Sequence, residues 1–333
     1  MAPPLGTPTP DLPGGVAGLD PALGTPAANW VGSSVGSKPA KTQSAHPLPW
    51  GTRALVTLAA FKVAVAAFAI VAIGLPQPAA GALASGYVVL QLFVFTAAGA
   101  TLLIAHARDS RTAHLGVVLI LVASSFATTG FAEFIKWVPR VSGLLPLYPD
   151  AFLAFYVGRF ISEFPRRPEG TTTRILHFTT QLAGIAGFVL FVANGLIGWD
   201  WSRQSFTWLA IAARQSAGGT AYWTVTFCLI LVMLPLAFAG AKVLGREERR
   251  RVRFFWTAFL IGLGPSVLMI VLSSIPPFGA RLTTWVMTSW MVSVLELLLA
   301  TVPLTVAYAV LVKRLFPARV MIRQAIQYLL ARW

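Results

Sequence analysis

The chain of 333 residues is 56% hydrophobic and only 11% charged, with a formal net charge of +15 at pH 7. A water-soluble domain carries about a quarter charged residues, so this composition excludes a soluble globular fold and indicates that lipid solvates most of the chain. In a soluble protein the positive charge would suggest nucleic acid. Here the basic residues form short runs between apolar segments, as membrane topology signals do, and we expect no nucleic-acid partner.

The amino-terminal segment, residues 1–50, contains ten Pro and seven Gly and shows no apolar periodicity. Such a segment cannot bury enough surface to offset the entropy of ordering it, so we predict a disordered tail. We assign residues 51–312 to a transmembrane domain and residues 313–333 to a cytoplasmic juxtamembrane helix. The predicted fold is an all-α polytopic membrane helix bundle.

The transmembrane domain is predicted to hold eight spans of about 20 to 25 residues, each long enough to cross a ~30 Å hydrocarbon core. They are Ala54–Leu75, Tyr87–His106, His114–Glu133, Leu144–Glu163, Ile175–Trp199, Tyr222–Leu244, Phe254–Ile275 and Ser289–Val312. The fourth is the least regular, because it contains Pro146 and Pro149 as well as three charged residues. In it, Asp150 is expected to cap the helix that follows.

The distribution of Lys and Arg predicts the orientation of these spans. With a cytoplasmic amino terminus, nineteen of the Lys and Arg residues fall in inner segments and five in outer segments. Positive charge concentrates on the cytoplasmic side of a membrane protein, so both termini are expected to face the cytoplasm.

Seven tryptophans map to the predicted outer boundary, where an aromatic belt is the ordinary interpretation. The longest outer connection, "GWDWSRQSFTWLAIAARQSAGGT", is alternatively a sensing surface or an interfacial helix, since loops often carry function. The belt residues are Trp137, Trp199, Trp201, Trp208, Trp223, Trp285 and Trp290.

Ionisable residues inside predicted spans are functional candidates, because they are costly in lipid. Glu296 in the last span is the strongest candidate for a buried functional carboxylate. Lys62 in the first span is expected to snorkel toward the cytoplasm, and a direct ion pair with Glu296 is disfavoured by their different depths. Arg159 and Glu163 share one side of the fourth span, at the spacing of a structural ion pair.

Prolines within the last three predicted spans remove backbone hydrogen bonds and are expected to kink or loosen their helices. The stretch "GLGP" is the strongest hinge candidate, although membrane helices also tolerate proline without any switching role. The hinge residues are Gly262, Gly264, Pro265 and Pro303.

No motif for catalysis, for a cofactor or for a metal is present in the sequence. His106, His114 and His177 lie on the predicted inner side, but their spacing is not that of metal ligands, and we predict no metal site. The single cysteine, Cys228, is interpreted as a small core residue. We therefore expect no catalytic residue within these segments.

The ending "AYAVLVKRLFPARVMIRQAIQYLLARW" leaves the last span through a basic pair and continues as an amphipathic helix with Arg319 and Arg323 on its polar side. It resembles the junction in bacterial membrane signalling proteins that precedes a sensor histidine kinase or a stage II sporulation protein E-type serine/threonine phosphatase. "PDAFLAFYVGRFISEFPRRP" is similar to a second segment of that group. Pro317 departs from the pattern, where an acidic residue is usual. The matching connector residues include Arg314, Phe316, Arg319, Arg323 and Tyr328.

The resemblance implies a sensory or anchoring module, often a dimer through its carboxy-terminal helix, whose output domain lies beyond the junction. These residues contain no such domain, so we expect a truncated chain or a cytoplasmic signalling partner. Two alternatives stay open. One is a small-molecule or lipid transporter, suggested by Glu296, Lys62 and the prolines, and the other is an integral membrane enzyme that uses the inner histidines.

Overall fold

Helices coincide with the predicted spans, but the fourth span is α-helical only from Leu153, and the seventh helix begins at Arg246, before its predicted start at Phe254. In a computed structural model the described residues are 48–73, 82–105, 110–164, 170–199, 213–214, 220–240, 245–273, 279, 281, 285 and 290–311. No strand occurs within them. The α-helices are α1 Trp50–Ile73, α2 Ala82–Ala105, α3 Ser110–Trp137, α4 Leu153–Glu163, α5 Thr171–Gly198, α6 Thr220–Gly240, α7 Arg246–Ser273 and α8 Met291–Leu311.

Seven stretches of the described chain are long and apolar enough to cross a membrane, which confirms an all-helical, multi-pass membrane protein. They are Trp50–Ala72, Gly86–Ile104, Ser110–Trp137, Pro139–Glu163, Thr171–Gly198, Ala221–Ala239 and Val252–Ser273. The eighth predicted span corresponds to α8, whose strongly apolar part, Ser293–Val306, is shorter.

The fourth span is not one continuous α-helix. Two 3-10 helices, Pro139–Leu144 and Pro149–Phe152, precede α4, which is only 11 residues long. Each 3-10 helix begins with a proline, which has no N–H to donate and disfavours helical geometry in the residue before it. Irregular backbone at membrane depth is tolerated only where protein surrounds it. We call Leu145–Tyr148, between the two 3-10 helices, the backbone break.

Contacts between helices close a ring in the order α3, α2, α8, α7, α6 and α4, with α4 packing back on α3. α1 packs mainly on α3, and α5 packs on α4 and α6. α3 is the most enclosed of the long helices, because it contacts α1, α2, α4 and both 3-10 helices. The two 3-10 helices that flank the backbone break therefore both lie against the most enclosed of the long helices.

Large apolar side chains cover the outside of the bundle, as lipid requires. Phe93 on α2, Phe178 on α5 and Leu268 on α7 are each more than half exposed. Trp137 and Trp290 are likewise exposed, which is compatible with an aromatic belt. Cys228 is exposed as well, so its interpretation as a core residue was wrong.

Two predicted regions lie wholly or almost wholly outside the described residues. They are the amino-terminal tail, of which only residues 48–50 are described, and the connector at residues 313–333, with Arg314, Phe316, Arg319, Arg323 and Tyr328. Both stay predictions.

Candidate functional site

Lys62 lies in the middle of α1, and its side chain is completely buried. Its ammonium nitrogen donates hydrogen bonds to the backbone carbonyls of Leu145 and Leu147, at 3.0 and 2.9 Å. It also lies 5.3 Å from the ring centre of Phe131 and 5.0 Å from that of Tyr148. The expected snorkelling toward the cytoplasm was therefore wrong. Lys62 instead satisfies carbonyls that the backbone break leaves without helical donors.

Arg214 comes from the connection between α5 and α6, and its guanidinium reaches into the bundle. It donates to the Thr128 hydroxyl at 2.9 Å and to the Ser125 carbonyl at 3.2 Å, both on α3. Its own backbone N–H donates to Asn194 Oδ1 on α5 at 2.8 Å. One residue of a connection thus binds two transmembrane helices from within.

Asp150 provides the negative charge for this arrangement and is only 1% exposed. Arg214 Nη2 lies 3.2 Å from its Oδ2, and the hydroxyl of Tyr222 on α6 donates to its Oδ1 at 3.0 Å. Asp150 lies inside the second 3-10 helix and makes no side-chain cap, so the capping prediction was wrong. We call Lys62, Tyr148, Asp150, Arg214 and Tyr222 the cation cluster.

Tyr148 is the centre of the cation cluster. Its ring is 1% exposed and has Lys62 near it at 5.0 Å and the Arg214 guanidinium at 4.5 Å. Aromatic faces attract cations, and the attraction grows when water is excluded. The cluster joins two formal positive charges to one carboxylate, and the excess positive charge faces aromatic rings and neutral oxygen acceptors.

A close approach of backbones holds the second 3-10 helix in place. A Cβ added to Gly187 on α5 would lie 2.7 Å from the carbonyl oxygen of Ala151. Only glycine therefore allows α5 to pack this near to the segment that carries Asp150. The cation cluster depends on that approach, because Asp150 precedes Ala151 directly.

Glu296 takes part in a second, partly buried polar contact, between α2 and α8. Gln91, which is completely buried, donates from Nε2 to the Glu296 backbone carbonyl and to its Oε2, the latter at 3.3 Å. Lys62 and Glu296 bind different partners, which agrees with the expectation that they form no direct ion pair.

Arg159 and Glu163 do not form the expected pair among the contacts of the described residues. The Arg159 guanidinium lies 5.5 Å from the Phe155 ring centre. Glu163 accepts a hydrogen bond from Ser110 at 2.6 Å, and its Oε2 lies 3.5 Å from His114 Nδ1. Both residues line a partly open cavity of about 410 Å³ between α4 and α5, which also contains His177.

The inner histidines do not come together as a metal site within the described residues. His114 lies on Glu163, whereas His177 is 2.9 Å from Gln181 on its own helix. In the described part of the chain no three His, Cys, Asp or Glu side chains are grouped to hold a metal ion. His106 lies outside the described residues.

The predicted hinge residues lie within helices that continue past them. Pro265 is inside α7 and Pro303 inside α8. A Cβ on Gly262 would lie 2.6 Å from a Val302 methyl group, so this glycine allows α7 and α8 to approach closely, while Gly264 meets only Leu260 of its own helix. Close packing of α7 on α8 explains why position 262 is a glycine. The hinge role of these residues stays a prediction.

Sequence reasoning missed Arg214, the residue with the most extensive contacts in the cation cluster. In the sequence it is one of five basic residues in predicted outer segments. The unusual length of its connection is the feature that could have drawn attention to it. Outside the cluster, Lys136 on α3 forms an ion pair with Glu133 at 2.7 Å. Comparison with known proteins adds no assignment: no family model, no curated protein and no solved structure matches the chain.

Proposed function

We propose that this chain is the membrane-embedded sensory module of a bacterial signalling protein, and that the cation cluster is its sensing element. The observation that carries the proposal is Arg214, an arginine from a connection between spans that binds α3, α5 and Asp150 inside the bundle. Burying an ionisable group in a membrane domain costs free energy, and residues of this kind usually have a functional role.

The cation cluster has the physical requirements of a two-state element. If the Arg214 guanidinium leaves, Asp150 loses its ion pair, and an unpaired buried charge is strongly unfavourable. Tyr222 hydrogen-bonds the same carboxylate from α6, so a change at Asp150 acts on that helix. α6 packs on α7, and α7 packs on α8, which leads toward residues 313–333. Contiguous packing provides a route from the cluster to the connector.

The output side of the proposal rests on the resemblance of the ending to kinase and phosphatase junctions. In this proposal the connector helix carries Arg319 and Arg323 at the inner leaflet, pairs with a second copy, and passes the change to an output domain or partner. The reading frame after Trp333 tests the link. A kinase or phosphatase domain in frame, or a signalling gene beside it, is expected, and neither being present would contradict the link.

The proposal places both termini in the cytoplasm and the α5–α6 connection on the outer side of the inner membrane. It is supported by the distribution of Lys and Arg. Fusions of alkaline phosphatase and of green fluorescent protein after residue 214 and after residue 333 test it. We expect active phosphatase only at residue 214 and fluorescence only at residue 333, and the reverse pattern would refute the orientation.

A spin label on the connector tests the sensory role directly. The label is attached through Gln327→Cys in a Cys228→Ser background, with the protein in lipid nanodiscs. We expect Arg214→Ala to change the label's mobility or the distance between two labels. Lys136→Gln, which removes an exposed cation outside the cluster, is the matched control and should change neither. Identical spectra for Arg214→Ala and its parent would refute the coupling.

The second candidate function is transport of a small molecule or lipid, favoured by the contact between Gln91 and Glu296. A carboxylate and an amide meeting between two apolar helices form the kind of polar point that a solute pathway uses. Substrate flux in proteoliposomes, compared for the parent and Glu296→Gln, tests it, with Glu133→Gln as the control. Equal flux with both variants would dismiss Glu296 as a transport residue.

A further inference from the structure

We propose that the cation cluster is a binding site for a small organic cation, a guanidinium or an alkylammonium ion, which takes the place of the Arg214 guanidinium. The inference rests on the proposed sensory role of the cluster and names the chemical class of its ligand. Its basis is the surroundings of the Arg214 side chain, which have the composition of a cation receptor.

Three aromatic rings surround the guanidinium. Its central carbon lies 4.5 Å from the ring centre of Tyr148, 5.1 Å from that of Trp223 and 5.9 Å from that of Tyr222. Electron-rich ring faces combined with exclusion of water are the arrangement by which proteins recognise organic cations. The aromatic part of the site does not require that the cation be attached to this chain.

Oxygen acceptors complete the site and suit a group with several N–H donors. The Asp150 carboxylate, the Thr128 hydroxyl and the Ser125 carbonyl each lie 2.9 to 3.2 Å from a guanidinium nitrogen. The Arg214 guanidinium forms an ion pair with Asp150 and donates hydrogen bonds to the other two groups, whereas an alkylammonium ion presents fewer donors in one plane. We therefore expect guanidinium ligands to bind more tightly than alkylammonium ligands of equal charge.

The same surroundings argue against an anionic ligand. The guanidinium contacts oxygen acceptors and ring faces, and the Asp150 carboxylate and the ring faces repel an anion. The second cation, Lys62, cannot supply the attraction, because its ammonium is bound to the carbonyls of Leu145 and Leu147. A cationic ligand that replaces the Arg214 side chain also leaves the charge within the site unchanged.

The Arg214 side chain, which fills the site, comes from a different part of the chain than the residues that line it. The walls belong to α3, to α6 and to residues 148–150, but Arg214 belongs to the connection between α5 and α6. The Arg214 side chain is 12% exposed and that of Asp150 is 1% exposed, so Arg214 is the more accessible member of the pair. A ligand for this site competes with Arg214 for Asp150.

Chemical rescue tests the proposal. Full-length Arg214→Ala protein in detergent is titrated with methylguanidinium chloride, with sodium chloride at equal ionic strength as control, and thermal unfolding is followed. We expect saturable stabilisation of Arg214→Ala by methylguanidinium and none of Arg214→Ala/Asp150→Asn. The parent protein should need at least about tenfold more methylguanidinium, because its own tethered side chain competes at a high effective concentration.

Two outcomes would overturn the proposal: no saturable stabilisation of Arg214→Ala, or the same stabilisation in the double variant. If Arg214→Ala does not fold, the titration is made with Arg214→Gln, whose shorter and uncharged side chain does not compete as a cation for Asp150. The same two outcomes then apply. Tetramethylammonium chloride is the second probe, and weaker stabilisation than with methylguanidinium is expected. Equal or stronger stabilisation would refute the preference for guanidinium.

The connector label separates this inference from the sensory proposal. Methylguanidinium added to spin-labelled Arg214→Ala should return the label's spectrum to that of the parent. Rescue of thermal stability without a change in the spectrum would support the cation site and contradict the sensory role. A spectrum that differs between Arg214→Ala and the parent, with no rescue by methylguanidinium, would contradict the cation site and support the sensory role.

Discussion

The cation cluster and the contact between Gln91 and Glu296 are both polar places in an apolar bundle, but they are built differently. The first joins side chains from α1, α3, α5 and α6 to a non-helical backbone. The second joins only α2 and α8, and both backbones are helical there. A polar group that repairs a break in the backbone is needed for folding, whereas one that links two intact helices is not. Substitutions in the two places should therefore differ in cost.

The largest effect is expected for Asp150→Asn. The variant leaves the Arg214 guanidinium buried without its counter-ion, which typically destabilises a protein by about 3–5 kcal/mol. The free energy of unfolding, measured by titration with sodium dodecyl sulfate in mixed micelles, checks this. Glu133→Gln changes a partly exposed acid outside the cluster, and its unfolding free energy should stay within about 1 kcal/mol of the parent. A small loss in Asp150→Asn would show that the cluster is no more important than a surface pair.

Lys62→Met should cause the second-largest loss of stability. Methionine keeps much of the apolar volume but donates no hydrogen bond, so the carbonyls of Leu145 and Leu147 lose their donor. Each unsatisfied buried group costs about 1–3 kcal/mol. Hydrogen exchange of the residue 139–152 amides should also accelerate, because the backbone break is less firmly held. Unchanged exchange would mean that Lys62 does not hold this segment.

Gly187→Ala should produce an intermediate effect on the cation cluster without touching any charge. The new methyl group meets the Ala151 carbonyl oxygen at 2.7 Å and must push the second 3-10 helix away from α5. Overpacking of this kind costs about 1–3 kcal/mol. Gly264→Ala is the matched control, because a Cβ there meets only Leu260 at 3.6 Å. Equal stability of the two variants would contradict the close approach.

The smallest effect is expected for Gln91→Met, in the second polar place. It removes the two hydrogen bonds from Gln91 to Glu296 while both helices keep their own backbone bonds, so the loss should be about 1–2 kcal/mol, because an ordinary hydrogen bond contributes about 1 kcal/mol net. The same titration with sodium dodecyl sulfate measures it. A loss as large as that of Asp150→Asn would remove the distinction between the two places.

The sequence predicted the fold well where a single apolar segment decides the structure. Length and apolar content are sufficient for α1, α5 and α7, because in lipid a helix satisfies its own backbone. The irregular fourth span was recognised from Pro146 and Pro149, but its geometry was not. The backbone near a proline pair can stay non-helical only if other groups bind the carbonyls that lose their helical donors. Here the donor is Lys62, which is more than 80 residues away in the chain.

The candidate site was predictable only in part. Lys62 and Asp150 stand out as charges within apolar segments, yet their partners could not be inferred. The partners of Lys62 are backbone carbonyls, and the partner of Asp150 is an arginine in a connection between spans. Arg214 has no local feature that separates it from Arg203 in the same connection. Only tertiary packing distinguishes an arginine in solvent from one that enters the bundle.

The backbone break also constrains how this protein is assembled during translation. α4 is 11 residues long, about 16 Å, and is too short to span the hydrocarbon core by itself. The carbonyls that precede it need the ammonium of Lys62, a residue synthesised 83 to 85 positions earlier. The buried ammonium of the first span and the free carbonyls ahead of α4 are both unsatisfied in the bilayer until the two segments pair. Their pairing is therefore an early step of biogenesis.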